Sequence, residues 1–494
     1  MPFNGTLVYQ MIQRYIPLSV WIICILTLLL IPLKIREYGY APSDDAHRHI
    51  AKAISGKPWN EILVMRDDVT IDTNFGWHTI LRFFHTVLKW DAESLMTFSI
   101  VGLFLVMGLT GLIVSRRPES WLMALLIIQI PYMDLIGRLT RGRPYIVSIA
   151  VLIALLSMWR SNRVTTRIWI KVAVTTILIT CAVWIHGSWY LWGLLVGAYF
   201  LSGRFRESLL IGISWLVGSV IGACLTGDPT GFLWEQLRWA FDAFGRHEVQ
   251  RVLVTEFQPS IGDPIIIVAI VIMLIWIRIR ENGINRIFHN PGFVLIVIGW
   301  TFGLATKRFW LDWGIPAAIA WLMFEIRSIM NEDVDRDDFK RLGITCFVAL
   351  AFFFATTSDI SGRWTNQLMT EYFDADDPEL AGWLPDDGGI LYNPNMGDFY
   401  HTFYANPHAN WRYVLGYEPA IMKEDDLEIY RDIQWNYGAP ESFEPWVNKM
   451  ALADRLLISG GPSAPPKVPI LEWKYVGVNR WSGRLPTPRP LNRE

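Results

Sequence analysis

The sequence predicts an α-helical polytopic membrane protein of about eleven spanning helices, followed by a small α/β domain at the C-terminal end. Three observations carry this prediction. Of 494 residues, 52% are hydrophobic and only 18% charged, where a soluble protein carries roughly a quarter charged residues. The deficit is concentrated in apolar runs, several of them near the roughly 20 residues a bilayer crossing needs. From residue 358 onward those runs stop. The chain there becomes rich in Pro, Trp and Tyr, with short β-like stretches at Ile390 to Tyr392 and Trp411 to Leu415 and a helical one around Asp425 to Tyr437.

The first apolar run, Ile16 to Leu33, follows a lone Arg14 and lacks a small-residue cleavage site, so it reads as a retained span rather than a signal peptide. The spans then fall at roughly 16–34, 95–114, 121–137, 144–159, 168–186, 188–202, 208–226, 264–279, 292–306, 313–328 and 342–357. Lys and Arg in short loops set the orientation. With the N-terminus inside, the cytoplasmic loops hold Arg116 and Arg117; Arg160, Arg163 and Arg167; Arg204 and Arg206; Arg278, Arg280 and Arg286; and Lys340 with Arg341. The other side receives residues 35–93, residues 227–263 and the tail. The expected organisation is a membrane unit of residues 1–357 and an extracytoplasmic unit of residues 358–494. Residues 331–341 form a solvated cytoplasmic linker.

Net charge is −2, and no strongly basic domain exists to neutralise phosphates, so no nucleic-acid partner is expected. The 25 Trp suit interfacial belts and aromatic-lined grooves. Cys24, Cys181, Cys224 and Cys346 lie in apolar segments without metal or disulfide spacing and read as packing residues. The one N-glycosylation acceptor, at Asn4, falls on the cytoplasmic side, which fits a prokaryotic plasma membrane.

Two basic clusters oppose the orientation rule: Arg138, Arg141 and Arg143 between spans three and four, and Lys307 with Arg308 between spans nine and ten. Positive charge held on the outer side against the insertion bias has a local use. It either pairs with carboxylates such as Asp134 or Asp312, or holds the phosphate of a lipid carrier. Arg246, His247 and Arg251 form a third basic group, which reads equally as a solvated helix face.

The first outer loop is the richest in chemistry. Ser43 can cap a helix whose first turn holds the acidic pair Asp44 and Asp45. Helical spacing sets Asp45 with His49 and Asp44 with Arg48. Capping accounts for one carboxylate, not for two beside His47 and His49 at the membrane surface. Further on, His78, Arg82 and His85 repeat at helical spacing, which predicts an amphipathic helix lying flat on the membrane with a polar stripe. Such a loop reads as a roof over an embedded cleft.

A first span followed at once by an Asp-containing helix in a large outer loop, with surface helices after it, resembles the C-type glycosyltransferase superfamily (GT-C). The basic start of span four, Arg138-Leu-Thr-Arg141-Gly-Arg143-Pro144, and the stretch from Lys307-Arg308 to Pro316 are similar to motifs of bacterial members. The tail stretches from Gly397-Asp398, from Tyr413 to Pro419 and from Asp426 to Tyr430 resemble C-terminal domains of bacterial membrane proteins with this layout. The resemblance covers most of the chain. It implies transfer of a sugar from a polyprenyl-phosphate-linked donor on the outer side of the membrane. An Asp of the first loop, Asp44 or Asp45, is then base or acceptor orienter. Arg138, Arg141, Arg143, Lys307 and Arg308 would hold the donor phosphate, with His47, Asp72 and His78 also binding substrate and Trp59 and Trp77 lining the acceptor side. Loop 227–263 would order over the site as a lid. Implied partners are a lipid-linked sugar donor, membrane lipid and a glycan, lipid or protein acceptor. The chain departs from some members in carrying Arg48 between two His, and it lacks the hallmark motifs of oligosaccharyltransferases and protein O-mannosyltransferases.

Three rival readings stand beside this one. Asp44, Asp45, His47, His49, Asp72, His78 and His85 are all plausible metal ligands without a tight spacing signature, so the cofactor is left open; a divalent ion aiding phosphate departure is compatible. His186, ending span five, is either an interfacial residue or part of the cleft. A transporter fits poorly, since no paired broken helices appear in two matching halves. A non-catalytic scaffold keeping the fold is the remaining alternative.

Overall fold

In a computed structural model, the described residues are 5–42, 44–115, 117–132, 134–160, 168–241, 255–259, 265–282, 285–333, 338–370, 372–477 and 479–487. The expected cap at Ser43, the group Arg246, His247 and Arg251, the loop residues Arg116, Arg163 and Arg167, and the side chains of Arg278, Arg280 and Arg286 lie outside what is described.

Among the described residues, six helices are long and apolar enough to cross a membrane: Arg14–Glu37, Ala92–Ser115, Ile168–His186, Phe205–Cys224, Lys307–Met330 and Asp338–Thr357. Four shorter apolar helices, Tyr145–Met158, Trp189–Leu201, Ile267–Trp276 and Pro291–Gly303, fall where further spans were predicted. Length and composition therefore support six candidate spans among the described residues, and the expected eleven are not all met at full spanning length. The run predicted as span 121–137 departs most. Its helix, Pro118–Gln129, ends after 12 residues, and the chain turns into a separate short helix, Leu135–Leu139. The Gln129 side chain stabilises that turn by accepting the Ile136 N–H at 3.2 Å.

The bundle turns apolar surface outward. Leu18, Ile22, Trp169, Phe347 and Phe354 are all exposed, a pattern that water penalises and lipid does not. Buried charge inside the bundle is paired across helices. Glu119, fully buried in the first turn of its helix, accepts a two-pronged bond from Arg341, Nε to Oε1 at 2.7 Å and Nη2 to Oε2 at 3.1 Å. This pair ties the helix Pro118–Gln129 to Asp338–Thr357.

Between the first two spans lie three helices, Asp45–Ser55, Trp59–Ile62 and Phe75–Leu88. Asp45–Ser55 ends at Gly56, whose left-handed φ of 63° lets its N–H return to the Lys52 carbonyl. Phe75–Leu88 was predicted to show a polar stripe of His78, Arg82 and His85. Instead Trp77, His78 and Leu81 form its buried side and Arg82 is exposed. The helix is drawn inward because Gly76 allows close contact: a Cβ there would stand 2.6 Å from the Trp184 carbonyl oxygen.

The tail carries a five-stranded sheet, β1 (Ile390–Tyr392), β2 (Arg412–Tyr413), β3 (Arg455–Ser459), β4 (Glu472–Gly477) and β5 (Arg480–Arg484), in the order β2-β1-β3-β5-β4. β1 runs parallel to β2 and β3, while β5 is antiparallel to β3 and β4. The predicted tail helix is present as Glu424–Trp435, with Glu424, Asp425 and Asp426 in the first turn, where the helix dipole favours them. The first loop enters this unit. Leu63 bridges Tyr413 and Met65 bridges Met422, and Trp59, Ile62, Leu63 and Met65 share one apolar cluster with Leu391, Phe399, Phe403 and Leu457 of the tail.

Candidate active site

A cavity of about 640 Å³ opens where the first loop, the bundle and the tail meet. The start of the helix Asp45–Ser55 forms one wall, supplying Asp44, Asp45, Arg48 and His49. The helix begins at Asp45, so Asp44 sits at the N-cap position with non-helical φ and ψ of −138° and −145°. Helical spacing therefore does not apply to Asp44, and the expected pairing of Asp44 with Arg48 is not found. Arg48 instead donates from Nε to Asp45 Oδ1 at 2.6 Å, its guanidinium lying over the Tyr417 ring.

Facing this wall is the turn before Tyr145. Gly142 there adopts a φ of 66°, and a Cβ on it would press at 3.2 Å on Ala46. The missing side chain lets the turn close on the first-loop helix and presents Arg143 to the acidic pair. Arg143 reaches Asp44 Oδ2 at 3.0 Å, Asp45 Oδ2 at 3.3 Å and Glu256 Oε1 at 3.2 Å. Glu256 also accepts from Arg138 at 2.9 Å, and Arg138 pairs in turn with Asp312. Arg308 reaches Asp312 at 3.2 Å, and Arg141 reaches Asp134 at 3.2 Å and Asp44 at 4.0 Å. Asp312 lies on a π-helical turn, Trp310–Gly314, that interrupts the span Lys307–Met330. Such irregular turns re-aim side chains inside helices.

The result is a chain of alternating guanidinium and carboxylate groups from Arg48 to Arg308. Burial pushes the Asp45 carboxyl up, but Arg48 and Arg143 outweigh burial and hold it below the usual range. Glu256 is likewise held low by Arg138, Arg143 and Arg308 against its burial. Asp44 goes the other way: burial raises it, with Arg143 opposing, and its Oδ1 is buried without a hydrogen-bond partner.

Of the residues singled out from sequence, Asp44, Asp45, Arg141, Arg143 and Arg308 line the cavity. Arg138 sits behind it, 4% exposed, bracing Glu256 and Asp312. Lys307 does not line it; its backbone N–H bonds the Gln258 carbonyl. His47 packs instead against the tail, bonding Tyr372 Oη at 2.8 Å and meeting the His401 ring at 5.4 Å. Asp72 and His78 stand one layer behind His49. Trp59 belongs to the loop–tail core, and Trp77 stacks on Phe98 within the bundle. Both sets of carboxylates expected for the basic clusters are engaged: Asp134 by Arg141, and Asp312 by Arg138 and Arg308. His186 lines the cavity and bonds Ser148 at 3.2 Å. Of loop 227–263, Gln236, Trp239, Ala240, Glu256 and Phe257 reach the wall.

Sequence reasoning missed the tail's share of the site: Asn395, Tyr400, His401, Tyr417, Glu418 and Arg480. Their segments were noted, yet nothing in the spacing signalled that they turn toward the membrane. Glu418 stands out among them. Burial raises its carboxyl to about 7, Arg308 pulling against this, and its Oε1 is buried with no hydrogen-bond partner.

A divalent cation does not fit the described residues. Among them no three His, Cys, Asp or Glu converge as a metal would require. Asp44, Asp45, Glu256 and Asp312 are each already engaged by arginines.

Apolar helices packed under a first-loop acidic helix and roofed by a trailing mixed domain make up the fold. This fold is similar to that of the apo oligosaccharyltransferase of Archaeoglobus fulgidus, with a TM-score of 0.51, 11% sequence identity and coverage of 90% of this chain and 70% of that one. The same enzyme in complex with Zn and sulfate matches at a TM-score of 0.45 and 9% identity, over 88% of this chain and 68% of that one. At such identity the first likeness speaks for the fold alone. No protein-family model matches the chain, and no curated protein matches it.

Proposed function

We propose that this chain is a membrane glycosyltransferase that moves a sugar from a polyprenyl-phosphate-linked donor to an acceptor on the outer side of a prokaryotic plasma membrane. The observation that carries the reading is the meeting of the Asp44–Asp45 pair with Arg143 in a cavity between bundle and tail. The fold likeness to an oligosaccharyltransferase supports it. The first loop and tail lie outside in this reading, with the N-terminus in the cytoplasm.

The chemistry needs two charges side by side. The transferred sugar develops oxocarbenium character, which a nearby carboxylate stabilises, while the leaving phosphate needs positive charge. Asp44, with Oδ1 uncommitted, orients the acceptor, and Asp45 stays anionic beneath the sugar. Arg141, Arg143 and Arg308 on the cavity wall receive the phosphate, a planar fork matching its oxygens. Arg138 supports that wall from behind, through Glu256 and Asp312. The acceptor is a glycan, a lipid or a protein.

The test uses purified protein in nanodiscs with a panel of polyprenyl-phosphate and polyprenyl-diphosphate sugars. Asp44→Asn and Asp45→Asn are expected to keep donor binding and lose turnover by about 100-fold or more, while Arg143→Ala weakens donor binding by about tenfold. Absence of binding of any lipid-linked sugar by the folded wild type would sink the reading and favour a scaffold.

A further inference from the structure

Asp72, His78 and His49 form a line of hydrogen bonds whose direction is fixed by chemistry. Asp72 can only accept. Its Oδ1 takes the Asn74 backbone N–H at 3.1 Å and its Oδ2 takes the His78 Nδ1–H at 2.6 Å. His78 therefore carries its proton on Nδ1 and offers the Nε2 lone pair to the Nδ1–H of His49 at 2.8 Å. That leaves the lone pair of His49 on Nε2. His49 is also the one member of the three that lines the cavity. His49 and His78 are 1% and 6% exposed, too dry for water to scramble this order. Burial, with Arg48 next, holds the His49 ring neutral at neutral pH. Such an arrangement, a carboxylate fixing an imidazole whose far side offers a base, is the generalised logic of a catalytic triad.

We propose that His49 is the catalytic base of this cavity, with His78 and Asp72 as positioning residues that fix its tautomer; the proposal rests on the glycosyltransferase reading. As the acceptor oxygen attacks the anomeric carbon, its proton passes to His49 Nε2 and the new carbon–oxygen bond forms. The bond from the anomeric carbon to the donor phosphate breaks, its electron pair leaving on the phosphate oxygen. The imidazolium is steadied through His78 by Asp72 and afterwards gives its proton to water. Asp44 and Asp45 orient and stabilise rather than take the proton.

The test has two arms. In nanodiscs, with a lipid-linked sugar that the wild type uses, His49→Gln is expected to lower kcat by about 100-fold and leave the donor KM within about threefold. The acidic limb of the pH profile disappears with it. Arg48, Arg143, His78 and His186 face His49 and remain in place in this variant. Asp72→Asn reverses the line. The Asn74 N–H claims the amide oxygen, so the amide NH2 turns to His78 Nδ1 and the proton of His49 moves to Nε2. Turnover is expected to fall by a similar factor of about 100. The second arm needs no turnover: carbethoxylation by diethyl pyrocarbonate, located by mass spectrometry, should mark His49 in the wild type and drop about fivefold in Asp72→Asn. Turnover of His49→Gln within about twofold of wild type, or unchanged labelling of His49 in Asp72→Asn, overturns the proposal. So does an acidic limb that survives in His49→Gln and vanishes in Asp44→Asn, which would make Asp44 the base. A wild type that turns over no donor defeats the glycosyltransferase reading and the base with it, while the labelling arm still decides the tautomer.

Discussion

Arg143 touches three carboxylates from two separate stretches of chain, the adjacent Asp44 and Asp45 and the distant Glu256. It meets each with a different nitrogen, Nη2, Nε and Nη1, a spread that the single nitrogen of a lysine lacks. Glu418 is the counter-case, a carboxyl whose Oε1 is buried with no hydrogen-bond partner among the described residues. Its folded value of about 7 lies above the usual 4.5 because burial disfavours the anion. The folded state therefore keeps a proton that the unfolded state releases. Stability from this group is full below about pH 4.5, falls as pH rises toward 7 and is level above that. Glu418→Gln is permanently neutral. It should raise thermal stability by on the order of 2 kcal/mol at pH 8 and leave it unchanged near pH 4.5. Unfolding midpoints followed by tryptophan fluorescence at the two pH values check this; equal gains at both would show that Glu418 is ionised when folded.

The site depends on where short elements begin and end. The first-loop helix starts one residue too late for Asp44 to lie on its surface, which frees that carboxylate to face Arg143. The turn carrying Arg143 depends on Gly142, at a φ of 66° and against Ala46. Gly142→Ala asks a side chain to adopt left-handed backbone, costing about 1 kcal/mol, and to push the turn away from Ala46. The expected outcome is an overall fold retained, with Arg143 drawn off the acidic pair and donor affinity down by about tenfold. Donor titration beside circular dichroism reads both. Unchanged affinity would mean the turn has slack that the packing does not suggest. The helix Phe75–Leu88 teaches a related point. Its polar residues repeat at helical spacing, yet His78 is buried because the far side, not the near side, meets lipid or water.

At the scale of the molecule, the first loop and the tail share one apolar core, and this sets the cavity's roof. Leu63, 2% exposed, bridges Tyr413 and packs where a Cβ on Gly416 would stand 2.6 Å away. Leu63→Ala removes buried methyl groups and leaves a cavity, costing about 2–5 kcal/mol. Because that core joins loop to tail, limited proteolysis should cut the tail several times faster, while the bundle's helical signal holds. Cleavage at the wild-type rate would mean the tail is held by its membrane contacts alone.

The sequence by itself determined the membrane class, the placement of the long apolar helices and the α/β character of the tail, and it singled out Asp44, Asp45 and Arg143, which meet at one cavity. Each of these follows from local quantities: hydropathy over some 20 residues, turn and strand patterning, and charges kept where insertion disfavours them. Only the tertiary structure decided which cations line the cavity, that His47 leaves it for the tail, that Asp72 and His78 stand behind His49, and that Glu256 and Glu418 complete the site. Those outcomes depend on residues up to hundreds of positions apart meeting in a dry interior. There, burial and charge pairing decide each side chain's place, and neither is written in sequence spacing.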